Sequence, residues 1–429
     1  MGSRLLWRRA ATAALVYAAT VLGVLGTIVA ARALGPERFG LLALALAASS
    51  FFQLLLDSTV EEAVVKYGYR YATAEDWGRL RRLFRTGVVV KWAGGAAAAV
   101  AVAALAPFAD TVFDTDSLTV PMLLAATIPL LQAPEGMAGA VLIVRGRYDL
   151  RAAFMALSMA LRLLGLGVGA QYGVTEAIVG YALAQAVASA SVGFVGWRGA
   201  RQYPRAVPVP LGEEAGPIRR FVLRSAAGTG LVSVRTTLAP LALGVVAAPT
   251  QVAFFRAAQA PLTGFAALSA PVRLIMLTEQ TRDAELGRPD LVWRSLSRYV
   301  IGAAGVCLVA VPAGWLLLPS LVPLVFGDDY RPAVTAARLL LLAAAIQLVF
   351  GWAKSFPISI GRPGLRIVAH GVEVVLLLPL VLLLGAREQA AGAAGAYLVA
   401  TVGFAFVWLA LLARLRSAER MGTPGEVSP

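Results

Sequence analysis

One cysteine, Cys307, and one histidine, His370, stand in 429 residues. That shortage removes disulfide frameworks, Cys/His zinc clusters and any Cys-His nucleophile pair together. Charge is scarce as well: 14% of residues are Asp, Glu, Lys or Arg, against roughly 25% in a soluble domain. Acid is scarcer than base, 24 residues against 38, for a formal charge of +14. A basic nucleic-acid surface needs those cations on one soluble face, whereas here they are shared out among short connectors, so no nucleic-acid partner is expected. Period-two alternation is missing too, which excludes a membrane β-barrel. The glycine run GLGVGA, 165–170, follows no strand and lies in an apolar run. It reads as close helix packing rather than a nucleotide loop, and neither a cofactor nor a metal is expected.

What the chain has is apolar length, with 59% hydrophobic residues. A run of about 18 or more spans a hydrocarbon core about 30 Å thick, and backbone groups in lipid must be bonded internally, so the runs are helices. Twelve spans are expected, at 11–31, 41–56, 86–108, 118–144, 152–170, 177–197, 225–246, 252–277, 299–318, 333–352, 365–384 and 390–413. The second is the shortest and is open to extension past Asp57. The opening MGSRLLWRRAATAALVYAATVLG has a signal peptide's order of basic then apolar residues. Its apolar part runs about 20 residues and further spans follow, so it reads as a retained first helix. Of 38 Lys and Arg, 29 fall on the side shared by the two termini and 4 on the other. The positive-inside rule then puts both termini of this cell-membrane protein in the cytoplasm.

The proline-rich, charged connector RGARQYPRAVPVPLGEEAGPIRR follows the sixth span. It divides the chain into a lobe at 1–200, a cytoplasmic linker at 201–220, a second lobe at 221–415 and a tail at 416–429. The halves echo one another. ARALGPERFGLLALALAASSFF has its counterpart in LALGVVAAPTQVAFFRAAQAPLTGF, and VRGRYDLR in SIGRPGLR. The fold class is all-α integral membrane, with two pseudo-symmetric lobes of six helices related about the membrane normal, as in transporters with a site between repeats.

Five basic residues fall inside spans: Lys91, Arg162, Arg235, Arg256 and Arg338. Arg235 lies near the middle of the seventh span, where insertion costs roughly 2.5–3.5 kcal/mol, so it is expected to face a hydrated cavity. Ser225, Thr229, Ser233 and Thr237 run along the same helix at intervals of four, and Pro240 is expected to bend it. The alternative for Arg235 is a buried carboxylate partner. Arg256 shares a face with Gln259 and Thr263 in the eighth span, and either joins the cavity or snorkels to the interface. Ser49, Gln53, Asp57 and Glu61 form a stripe in the second span that is either cavity wall or a packed face. Lys91 and Glu135 are expected to pair, with ion coupling as the alternative, and Glu373 to be satisfied by His370, with a proton site as the alternative. YRYATAEDWGRLRRLFRTG reads as a basic amphipathic helix on the cytoplasmic surface, attractive to anionic lipid.

ARALGPERFGLLALALA after the first span, RRLFRTG before the third, PLVFGDDYRPA before the tenth and ISIGRPGLR before the eleventh resemble the polysaccharide-transporter or Wzx-type flippases. These belong to the MATE-like (MOP) superfamily that also holds the lipid II flippase MurJ. The resemblance covers nearly the whole chain. It implies a V of two lobes about a central cavity, alternating access, and translocation of a polyprenyl-diphosphate-linked oligosaccharide to the outer leaflet. It implies a cationic cavity lined by the first, second, seventh and eighth helices, which makes Arg235, Arg256, Gln259, Gln53, Thr237 and Ser233 the substrate-binding candidates. The first span departs from some relatives in carrying no charge, only Thr20, Gly23 and Thr27. Expected partners are the lipid-linked oligosaccharide, membrane lipids and polysaccharide-assembly proteins, around a monomer. A cation antiporter of the superfamily needs acids in the first, seventh or tenth span, and none is there. An enzyme acting on lipid-linked sugars needs larger outer loops, and an inert scaffold gives Arg235 no reason.

Overall fold

Proline and glycine set the breaks in a molecule that is otherwise helix. The computed structural model describes residues 2–56, 60–286, 288–354, 356–360 and 364–420, with the side chains of 2–9, 224, 227–236, 354, 358–359, 418–420 and several between 270 and 289 outside the description. Among the described residues there is no strand, as expected of a chain that must satisfy its backbone within lipid. Seven helices are long and apolar enough to cross a bilayer, and two of these are long enough to cross twice. The first, α1 at Gly2–Leu56, bends at Gly35, where φ is 72° and Pro36 follows. Its 55 residues make about 80 Å of helix, more than two crossings of a core about 30 Å thick. A left-handed φ costs glycine nothing, and it breaks the ladder where the chain must turn back.

Beyond α1 come α2 (Val60–Thr73), α3 (Trp77–Leu105), the short α4 (Ala109–Val112), α5 (Thr119–Ala125), α6 (Thr127–Val144), α7 (Tyr148–Gly169), α8 (Val174–Arg201) and α9 (Ala215–Val246). The remainder are α10 (Pro249–Ala258), α11 (Ala260–Glu285), α12 (Pro289–Phe326), α13 (Ala333–Val349), the short α14 (Phe356–Ser359) and α15 (Gly364–Arg420). A second reversal inside α15 lies at Gln389, φ 56°. With α5–α6 as the fourth pass and α10–α11 as the eighth, the described residues make the twelve passes expected. Those two interruptions have one cause. Pro129 offers no N–H to the carbonyl of Ala125 and its ring crowds that oxygen, so the helix gives way at Ala126; Pro261 does the same to Ala257, and the break falls at Gln259. Both turns of the internal repeat appear, Gly35-Pro36 in the first half and an extended Ala247 (φ −146°, ψ 153°) before Pro249 in the second.

The second span is helical to Leu56, as expected, and the chain is helical again from Val60, with Asp57 outside the described residues. One expectation is corrected here. YRYATAEDWGRLRRLFRTG is not one surface helix: a turn through Glu75 (φ 55°) separates α2, which carries Arg70, from α3, and the other four arginines ride on the first turns of the third span itself. Asp76 makes that start, accepting from the Arg79 backbone N–H at 3.0 Å.

Packing sorts the chain into two compact units, Met1–Ala253 and Phe254–Pro429. The division falls later than the proline-rich connector, because α9 packs on α1 and α2 within the first unit. In that unit α7 lies between α1 and α8. A Cβ at Gly165 would collide with the backbone carbonyl of Gly180, and one at Gly180 with that of Gly165. The glycine run is therefore the close helix contact read from the sequence; with lipid as apolar as leucine, such contact is what holds helices together. In the second unit α13 packs against α11, α12 and α15, beside an aromatic core of Trp352, Phe356, Phe404 and Trp408.

Candidate functional site

Arg256 sits one turn before the break in the eighth pass, half-buried on α10. Its Nη1 donates to Gln259 Oε1 at 3.2 Å, and the Gln259 N–H closes back on the Arg256 carbonyl at 3.2 Å. Thr263 then ties the start of α11 to the break, its N–H and hydroxyl donating to the Gln259 carbonyl at 3.2 and 3.5 Å. The proline that interrupts the helix thus places a guanidinium and a carboxamide side by side within the membrane. Among the described residues no carboxylate pairs with Arg256. A guanidinium met only by a neutral amide keeps its charge and most of its five donors for another oxyanion.

The other candidates stand as follows. The side chains of Arg235 and Ser233 lie outside the described residues, though their backbone is helical within α9, which runs through Pro240 without interruption. Thr237, half-buried, and Gln53, half-buried near the end of α1, both belong to the first unit. At the foot of the hydroxyl stripe, Ser225 donates to Glu62 on α2. Ser49 is 2% exposed, and its hydroxyl has no hydrogen-bond partner among the described residues.

The expected Lys91–Glu135 pair does not form. Lys91 Nζ meets Glu61 Oε1 at 2.8 Å, with the ammonium 5% exposed and the carboxylate 33%. Gly136 makes room, since a Cβ there would overlap Glu61 Oε1. Glu135, the neighbouring residue on α6, turns the other way into a polar network that sequence reasoning missed. Its Oε2 accepts from Arg162 Nη2 at 3.4 Å and from Gln185 Nε2 at 2.8 Å. Gln185 in turn donates to Ser189 at 2.6 Å and accepts from Gln132 at 3.1 Å, while the Arg162 guanidinium lies 5.5 Å from the Tyr181 ring centroid. Depth along the chain made Lys91 and Glu135 look matched; the azimuth of Glu135, which no periodic pattern fixes, sent it to α7 and α8 instead. His370 Nδ1 lies 3.1 Å from Glu373 Oε2, the local satisfaction expected. Arg338 donates to the Trp315 carbonyl at 3.2 Å and stacks on its ring. Lys91, Arg162 and Arg338 are thus held by packing partners. Among the described residues no group of acids, histidines and cysteines is placed to hold a metal ion.

The fold is that of a multi-pass helical membrane protein, and solved structures share it. An inward-facing multidrug resistance MATE transporter of the MOP superfamily superposes with TM-score 0.65 at 14% identity, over 93% of this chain and 96% of its own. The lipid II flippase MurJ in an inward closed conformation gives 0.71 at 10% identity, over 94% and 87%. A MOP-superfamily transporter from Pyrococcus furiosus, described as having a binding pocket of reverse polarity, gives 0.55 at 14% identity, over 96% and 95%. No curated protein matches by sequence. Residues 6–272 match the polysaccharide biosynthesis protein family, and the chain belongs to it.

Proposed function

We propose that the protein is a flippase that moves a polyprenyl-diphosphate-linked oligosaccharide from the cytoplasmic to the outer leaflet by alternating access. The observation that carries this reading is Arg256, a cation within the eighth pass that is met by a neutral amide rather than an acid. Guanidinium forks match diphosphate oxygens in two-point hydrogen bonds, and these strengthen as water is excluded. Arg235, Ser233, Thr237, Gln53 and Gln259 complete the binding set on this reading. Membership of a polysaccharide biosynthesis family supports this reading of the substrate, and a fold shared with a lipid flippase supports the transport step. Both termini lie in the cytoplasm on this reading, and polysaccharide-assembly proteins receive the product. The chain acts as a monomer and transports without catalysing a covalent step. A cation antiporter gains no support from Glu135 and Glu373, the acids inside passes, because each has a basic neighbour within 3.4 Å.

The test is complementation. A flippase-deficient strain receives wild type, Arg256→Ala or Arg235→Ala at matched membrane levels, and surface polysaccharide is measured. Wild type restores it and each alanine variant cuts it by about tenfold or more, the worth of one lost charge-assisted contact of roughly 1.5–3 kcal/mol. Undiminished rescue by both variants would remove the assignment.

A further inference from the structure

At the connector end of α8 the lipid-facing side of the helix passes into a basic cleft. Leu183, Val187, Phe194 and Trp197 are all more than half exposed, a stripe of apolar and aromatic side chains that ends on a tryptophan. Tryptophan at the end of such a stripe marks the level of the headgroups. One turn further on, Arg201 lies over the Trp197 ring at 4.3 Å, and Arg198 over Phe194 at 5.2 Å. Arg201 from α8, Arg81 from α3 and Arg205 from the connector then line one cleft of about 630 Å³, completed by Ala206 and Val207. No acid lines it. Asp76 pairs with Arg79 at 3.3 Å and Glu214 with Arg70 at 2.9 Å. The buried Nε of Arg81 has no hydrogen-bond partner.

Three cations from three elements around one open volume repel one another, and the fold holds them there. The connector lies across the first turn of α3, the Val209 N–H donating to the Gly78 carbonyl at 3.3 Å. A Cβ at Gly78 would come within 2.8 Å of Val209 Cγ2 and 3.1 Å of the Val207 carbonyl. The helix dipole explains cations at the end of α8 but opposes Arg81, which stands in the second turn of α3 near the positive end of that helix. An anion in the cleft adds an attraction to each of the three cations and so offsets their mutual repulsion. Its depth, level with Trp197, is that of lipid phosphates, and the volume suits a headgroup.

We propose that Arg81, Arg201 and Arg205 bind the headgroup phosphate of an anionic phospholipid in the leaflet on the connector side, fastening the connector between α8 and α9 to the membrane. The site is independent of the transport reading. Full-length protein in mild detergent is titrated with phosphatidylglycerol or phosphatidylcholine, and retained lipid is counted by native mass spectrometry. Wild type keeps one phosphatidylglycerol in preference to phosphatidylcholine. The R81Q/R201Q/R205Q variant loses that preference, by on the order of 100-fold in apparent affinity at about 1 kcal/mol per arginine. The charge-matched R288Q/R298Q/R414Q variant keeps it. Gly78→Val, which displaces the connector without altering charge, weakens it as well. Equal retention by the two triple variants overturns the proposal. So does displacement of the lipid by glycerol phosphate or inorganic phosphate at equal concentration, which marks a site for soluble phosphate instead.

Discussion

Glu61→Gln is expected to destabilise the protein more than Glu61→Gln and Lys91→Met combined. Lys91 Nζ is 2.8 Å from Glu61 Oε1 and the lysine is 5% exposed, so neutralising the carboxylate takes an anionic partner from a cation that solvent barely reaches. At that distance the Coulomb term is about 6 kcal/mol at an effective dielectric of 20, before the desolvation of both ions is subtracted. Breaking a fully buried pair from one side costs about 3–5 kcal/mol. Glu61 is one-third exposed, which screens the pair and brings the expectation to about 2–3 kcal/mol. Removing both charges leaves an apolar methionine beside a neutral amide and restores most of that loss. At roughly 2–4 °C per kcal/mol for a unit of this size, Glu61→Gln lowers the apparent Tm by about 5–10 °C, and the double variant by less than half as much. Intrinsic fluorescence in detergent at a fixed scan rate measures it, the fixed rate being needed because unfolding of such proteins is commonly irreversible. Gly136→Ala, whose Cβ would overlap Glu61 Oε1, is expected to fall with the single variant. A Glu61→Gln protein within about 1 °C of wild type, or a double variant no better than the single, would refute the pairing argument.

Other expectations follow from the same geometry. Gly165→Leu drives a side chain into the Gly180 backbone and should abolish α7–α8 packing, read as loss of the monodisperse peak on size exclusion; a stable Gly165→Leu protein would contradict the close contact. Arg162→Ala leaves Glu135 with Gln185 but no cation, and should lower the apparent Tm, while Arg162→Ala with Glu135→Gln recovers part of the loss; the same thermal melts check both. Asp110 holds the Thr115 and Thr119 hydroxyls and the Leu118 and Thr119 N–H groups. Burial raises its pKa, but these hydrogen bonds outweigh that and leave the carboxyl below its ordinary value. Its contribution is then complete above the unfolded value of roughly 3.9 and is lost as pH falls through the lower folded value. Asp110→Asn should therefore cost about 1 kcal/mol near neutral pH and progressively less as the pH falls below roughly 3.9, a trend that a series of melts from pH 7 into acid resolves.

Much of this was legible in the residues because lipid permits few solutions. Apolar length fixed the helical class and the twelve passes, and the glycine run at 165–170 meant helix contact. What the chain could not declare was rotation about helix axes and the exact points of breakage. Lys91 went to Glu61 rather than Glu135 because α2 brings an acid to α3, and nothing periodic says which face of α6 Glu135 occupies. The Arg162 network escaped notice for the same reason, as its members are spread over residues 132–189 and meet only in three dimensions. The break at Gln259 was legible after the fact in Pro261. Its consequence, the Arg256–Gln259 hydrogen bond beside the break, emerges only in three dimensions.

Transport itself is the most direct measurement. Purified protein reconstituted into liposomes with a fluorescent polyprenyl-diphosphate oligosaccharide exposes the label to a membrane-impermeant quencher as it changes leaflet. Wild type is expected to flip it, and Arg256→Ala to slow flipping by about tenfold or more while Arg256→Lys retains part of the rate. Flipping by Arg256→Ala at the wild-type rate, or none by the wild-type protein, would contradict the account.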